Sequence, residues 1–142
     1  MTKFDLSKHQ CRTCVVCCMD FRIYKDETLH QFLNSIGVVE YDLISIKGAG
    51  QDFAEMEIGP VLDSIRISLE NHSAREIILI HHIDCGAYGG SRAFISKEDE
   101  LGKHRYDLEA AKQRILAKFG ADKIIRKFFL DEENGNLKAI EF

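Results

Sequence analysis

The sequence predicts an α/β fold: a mainly parallel sheet whose strand order starts 2-1-3, flanked by helices, with a C-terminal antiparallel hairpin strand. Three observations predict it. Short β-prone apolar runs alternate with stretches whose apolar residues recur at helical spacing, the signature of right-handed βαβ units. No repeat, low-complexity stretch or proline-rich linker divides the chain, and Pro60 is its only proline, so residues 1–142 read as one domain. Near the end, Asn134-Gly135 joins two β-prone runs, and Asn-Gly favours the positive φ of a hairpin turn.

The elements follow in order. Thr13–Cys18 (TCVVCC) reads as the first strand. Asp26–Ile36 carries Leu29, Phe32, Leu33 and Ile36 at helical spacing, with Asp26 or Thr28 as cap and Gly37 as stop. Asp42–Ile46 (DLISI) is the second strand and runs into Gly48-Ala49-Gly50. Ile58–Glu70 puts Val61, Leu62, Ile65 and Leu69 on one helical face, with Pro60 in its first turn. Glu76–His81 is the third strand, ahead of a glycine-rich stretch from Cys85 to Gly90. Leu108, Ala111, Ile115 and Phe119 share a face of a helix over Leu108–Phe119. Lys123–Leu130 is the fourth strand, and Leu137–Phe142 alternates as the antiparallel return.

Composition excludes several function classes. The 142 residues carry 19 basic and 23 acidic side chains, a net charge of −4. That leaves no electropositive footprint for nucleic acid. Apolar runs such as Ile77–Ile80 fall far short of the ~18 residues of a membrane span. Residues 1–10 show neither an apolar core nor a cleavage-site pattern, so the expected location is cytoplasmic. Four of the five cysteines (Cys11, Cys14, Cys17, Cys18) lie within eight residues. A disulfide framework spreads its partners along the chain in an oxidising compartment, so these read as buried thiols or metal ligands.

In an open α/β sheet, sites form beyond the carboxyl ends of the strands, where strand order reverses. With the order 2-1-3, the segments at that point are Cys18-Met19-Asp20-Phe21-Arg22 and His81-His82-Ile83-Asp84-Cys85-Gly86. Thiolate and imidazole are the preferred donors of zinc, and Cys18, His82 and Cys85 give three protein ligands with a fourth position open. Inert buried cysteines and a merely hydrogen-bonded histidine are the plainer reading. A zinc knuckle of Cys11, Cys14 and Cys17 is another, opposed by strand alternation, which puts Cys14 and Cys18 on one face and Cys17 on the other. The same alternation keeps His81 and His82 from sharing one metal, leaving His81 as a packed or hydrogen-bonded residue.

At these residues the chain resembles the β-class carbonic anhydrases. Cys18-Met19-Asp20-Phe21-Arg22 matches the family's Cys-x-Asp-x-Arg, and His82-Ile83-Asp84-Cys85-Gly86 matches its His-x-Asp-Cys-Gly, in the same order and at similar separation. Gly48-Ala49-Gly50 is similar to the family's Asn-Ala-Gly segment, and the resemblance runs from about Thr13 to the C-terminus. It implies reversible hydration of CO2 to bicarbonate and a proton, Zn2+ as cofactor on Cys18, His82 and Cys85, and activity that rises with pH. It also implies a dyad in which Arg22 fixes the Asp20 carboxylate and Asp20 orients the nucleophile. In some members that Asp becomes the fourth zinc ligand in a closed state. A homodimer or higher homo-oligomer is implied as well.

The chain departs from the family in three places. The stretch ahead of the first strand is short where members carry a helical arm that embraces a partner. Lys47-Gly48 stands where many have Arg-Asn. The segment after Cys85 is unusually rich in glycine and carries Tyr88. Other readings are a hydrolase of COS or CS2 on the same motifs, and a non-catalytic zinc-binding regulatory protein, against which Asp20–Arg22 argues. Asp84 reads either as support for a ligand or loop amide or as a plain turn carboxylate. Lys47, Gln51 and Tyr88 are pocket candidates, and His104, within the charged run Lys97–Arg105, reads as a surface residue or a proton shuttle.

Overall fold

The protein is described by a computed structural model covering residues 3–55 and 59–142. Five strands form one sheet in the order β2-β1-β3-β4-β5. They are β1 (Thr13–Cys18), β2 (Asp42–Ile46), β3 (Glu76–His82), β4 (Ile124–Glu133) and β5 (Asn136–Glu141). β1 pairs parallel with β2 and β3, β3 pairs parallel with β4, and β5 returns antiparallel. The expected class and order hold, including the reversal between β1 and β3 that places a site at their carboxyl ends.

The central strands are buried on both faces, as parallel strands must be when helices cover each side. Cys14, Val16, Ile77 and Leu79 face α4 (Pro60–Asn71) and α5 (Lys97–Phe119). Val15, Cys17, Ile78 and Ile80 face α1 (Phe21–Tyr24) and α2 (Thr28–Ser35). A fifth helix, α3 (Gln51–Glu55), follows the Gly48–Gly50 turn. Ile77, Ile78, Leu79 and Ile80 are wholly excluded from solvent. Burying each such side chain stabilises the fold by about 1.5–3 kcal/mol.

Element ends differ from the sequence reading where backbone conformation, strand pairing or a cap, not periodicity, sets them. The expected start of α4 at Ile58 lies outside the described residues, and the helix opens on Pro60. α2 opens at Thr28 because Asp26 and Glu27 take positive φ of 54° and 59°. β4 runs three residues past Leu130, extended by pairing with β5 through Glu133. The largest difference is α5, which begins at Lys97 rather than Leu108. Ser96 caps it by accepting from the Asp99 amide, and Glu98, Asp99 and Glu100 favour its positive end. The charged run is therefore helical, and its buried face carries Glu100, His104 and Asp107 ahead of Leu108, Ala111 and Ile115.

Candidate metal centre

Three donor atoms converge beyond the ends of β1 and β3. The Cys18 sulfur, a ring nitrogen of His82 and the Cys85 sulfur all lie within 4.8 Å of one another, and all three residues are buried. No other such group occurs among the described residues. The two sulfurs are 3.8 Å apart, close to the edge of a tetrahedron built with ~2.3 Å metal–sulfur bonds. His82 hydrogen-bonds the Ile83 carbonyl through Nδ1 at 2.8 Å. A carbonyl only accepts, so Nδ1 carries the proton and Nε2 presents a lone pair. That Nε2 is buried with no hydrogen-bond partner among the described residues, a costly state unless something else binds it. A soft-to-borderline cation such as Zn2+ fits this donor set.

Alternation predicts Cys18 on the Cys14 face. As the last residue of β1 it packs instead with Cys85 and the α2-side cluster: it still pairs with Ile46 of β2, but the ladder to β3 has ended at Cys17. The Gly48 amide also donates to its sulfur, at 3.4 Å. The neighbouring Cys85 thiol, together with His82 and the Gly48 amide, holds Cys18 well below the usual thiol range. Donation to Cys18 and burial push Cys85 up. The shift favours the thiolate at Cys18, the form that binds metal. Cys11, Cys14 and Cys17 do not form a knuckle: Cys14 and Cys17 are buried on opposite faces of β1 and Cys11 lies outside the strand.

Asp20 caps α1 and is gripped by Arg22. Its Oδ1 accepts from the Arg22 amide at 2.9 Å and from Nε at 3.0 Å, and its Oδ2 accepts from Nη2 at 2.6 Å. Arg22 holds the Asp20 carboxyl at a pKa of about 2. The same Oδ2 lies 3.9 Å from His82 Nε2, so the carboxylate borders the donor group while remaining engaged with Arg22. The other edge of the guanidinium reaches Asp84: Nη1 donates to Oδ2 and Nη2 to the main-chain oxygen, both at 3.0 Å. Asp84 takes a positive φ of 55°. It is held there by Ser91 donating to Oδ1 and by its own amide donating to the buried Glu100. Of the two readings of Asp84, the geometry selects the supporting one.

His81 and His82 point to opposite faces of β3, and His81 meets His104 of α5 at 2.9 Å. His104 is fully buried, which overturns its reading as a surface residue. Burial lowers its pKa to about 4 and takes His81 well below the ordinary range. The spacing of Glu100, His104, Asp107, Leu108, Ala111 and Ile115 was the signal available in the sequence. Tyr88 rests on His104, ring centroids 4.1 Å apart, and donates to Asp107 at 2.7 Å. Gln51 donates to the Ala87 carbonyl, and Lys47 pairs with Asp52.

A family model described as "Putative carbonic anhydrase" matches residues 8–140. An uncharacterised protein of Rickettsia conorii is 29% identical over 119 residues, which cover 78% of this chain and 63% of that protein. The chain thus spans less than two thirds of that relative's length. Among solved structures, β-carbonic anhydrase isoform I of Trichomonas vaginalis superposes with a TM-score of 0.63 at 19% identity, covering 99% of this chain and 87% of its own. A tetrameric β-carbonic anhydrase of Sordaria macrospora gives a TM-score of 0.58 at 13% identity, covering 95% and 83%. These similarities show the β-carbonic anhydrase fold. With the family model spanning nearly the whole chain, the protein belongs to the carbonic anhydrase family as a divergent member of its β class.

Proposed function

We propose that this chain is a zinc-dependent carbonic anhydrase that reversibly hydrates CO2 to bicarbonate and a proton. The observation that carries this reading is the convergence of Cys18, His82 and Cys85, with an unpartnered buried Nε2, beside the Asp20–Arg22 pair. Cys18, His82 and Cys85 would hold Zn2+. When bound, it supplies a Lewis-acidic centre that yields a nucleophile from water at neutral pH. Asp20 accepts a hydrogen bond from the nucleophile and orients it. Arg22 keeps that carboxylate ionised and aimed, since charge-assisted bonds from Nε and Nη2 and a third from the Arg22 amide leave it little freedom. Asp84 fixes the far edge of Arg22. The whole of residues 1–142 would act as one domain.

Five free cysteines and the absence of any helix long and apolar enough to cross a membrane, among the described residues, support a reducing, cytoplasmic setting. A homo-oligomer is supported by the tetrameric relative and by Met19 and Phe21, exposed on either side of Asp20. The test is stopped-flow CO2 hydration between pH 7 and 9 on protein of measured zinc content. Activity that rises with pH at about one zinc per chain is the expected result. Full zinc with turnover of COS or CS2 and none of CO2 would move the substrate. Full zinc with no turnover of any of them would leave a binding protein.

A further inference from the structure

His81 and His104 play no part in the proposed chemistry, yet they are buried, adjacent and joined to the same glycine turn that touches Cys18. The hydrogen bonds fix their protons. The Gly50 amide donates to His81 Nε2 at 3.0 Å. That nitrogen therefore has no proton, and the His81 proton sits on Nδ1. His81 Nδ1 lies 2.9 Å from His104 Nδ1 and must donate to it. His104 then carries its proton on Nε2, which is buried without a partner among the described residues. The chain of donation runs Gly50 to His81 and His81 to His104.

The turn has little room to do anything else. A Cβ on Gly50 would come within 3.1 Å of His81 Nε2 and 3.2 Å of the Ala111 methyl, so a larger residue would push against the ring and the turn. Gly48 takes a φ of +64°, and its amide points at the Cys18 sulfur, 3.4 Å away. Ala49 between them is fully buried. Fixing Gly50 against His81 therefore fixes where the Gly48 amide points. A hydrogen bond to a ligating sulfur withdraws charge from it and adjusts its hold on a metal.

We propose that His81 and His104 are positioning residues, locked in single opposed tautomers, that hold the Gly48–Gly50 turn so that the Gly48 amide donates to the Cys18 thiolate. The inference rests on Cys18 being a metal ligand, and its test separates the two claims. Long-range proton–nitrogen NMR on the full chain reads the tautomers directly: His81 protonated on Nδ1, His104 on Nε2. In His81→Gln the amide oxygen replaces Nε2 as acceptor, whereas His81→Leu offers none. His104→Asn and His104→Leu repeat the comparison one step outward, should His81→Leu not fold.

With cobalt as probe, the Leu variants shift the thiolate-to-metal charge-transfer band to lower energy and weaken metal affinity about tenfold. Their Gly48 and Gly50 amides exchange at least about tenfold faster. The Gln and Asn variants retain the native values. Reversed tautomers would overturn the proposal. So would a folded Leu variant of either histidine with native Gly48 exchange and a native band. If the chain takes up no cobalt, the ligand assignment fails, while tautomers and amide exchange still decide the relay.

Discussion

The six histidines divide evenly between the two ends of the parallel strands, and the two ends treat them differently. At the carboxyl end, His81, His82 and His104 are buried, and each ring is set by its neighbours. At the amino end, His9, His30 and His72 line an open cavity of about 390 Å³ with Cys11, Tyr41 and Asp42. His72 is paired with Asp42 at 2.8 Å and His30 meets Tyr41 at 3.2 Å. Both ends thus offer ligand-type residues. Only the carboxyl end brings three donor atoms within 4.8 Å of one another, among the described residues. Composition around a cavity does not make a site; convergence of buried, oriented donors does.

The sharpest way to break this contrast is to exchange one sulfur at each end. Cys18→Ser should lose bound zinc and lower CO2 hydration by at least about a thousandfold, whereas Cys11→Ser should keep both, as read by metal analysis and stopped flow. Next comes the dyad. Asp20→Asn should retain zinc and lose roughly two orders of magnitude in kcat, because an oriented acceptor is removed while the metal donors stay.

Acid should discriminate the two ends as well. The folded-state pKa of His104, about 4, lies below its ordinary 6.5. The unfolded chain therefore takes up the proton first, and stability falls as pH drops from about 6.5 to 4, by roughly 3 kcal/mol. Urea midpoints measured across that window should show the loss, and His104→Leu should flatten the slope.

Two smaller effects complete the contrast. Asp84→Ala should retain zinc and lower activity about tenfold by freeing the far edge of Arg22, with Asp84→Asn recovering part of it. At the amino end, His72→Ala should change stability by less than about 1 kcal/mol and leave zinc content alone. Ser68 still donates to Asp42 there, at 2.6 Å.

The parts of the site legible in the sequence are those carried by short spacing. Cys18-x-Asp20-x-Arg22 and His82-x-x-Cys85 place their residues at strand ends that the alternating pattern already locates, so the candidate donor group is legible from spacing alone. The opposite orientation of His81 and His82 followed from strand alternation alone. What stayed hidden depends on contacts distant in sequence. The Gly48 amide at Cys18 and the grip of Asp84 on Arg22 span 30 and 62 positions. His104 was hidden for another reason. Counting only apolar residues starts α5 at Leu108, because the inward face of its first turns is built from Glu100, His104 and Asp107, whose polar atoms are met by Ser91, His81 and Tyr88. A helix that buries polar side chains looks like a surface segment to any count of hydrophobic spacing.

The most direct test of the central claim is the location of the metal itself. Crystals of the zinc-loaded chain, measured on both sides of the zinc absorption edge, should show one strong anomalous peak between Cys18, His82 and Cys85. A peak in the cavity of His9, His30 and His72, or none in protein grown and crystallised with zinc, would contradict the account.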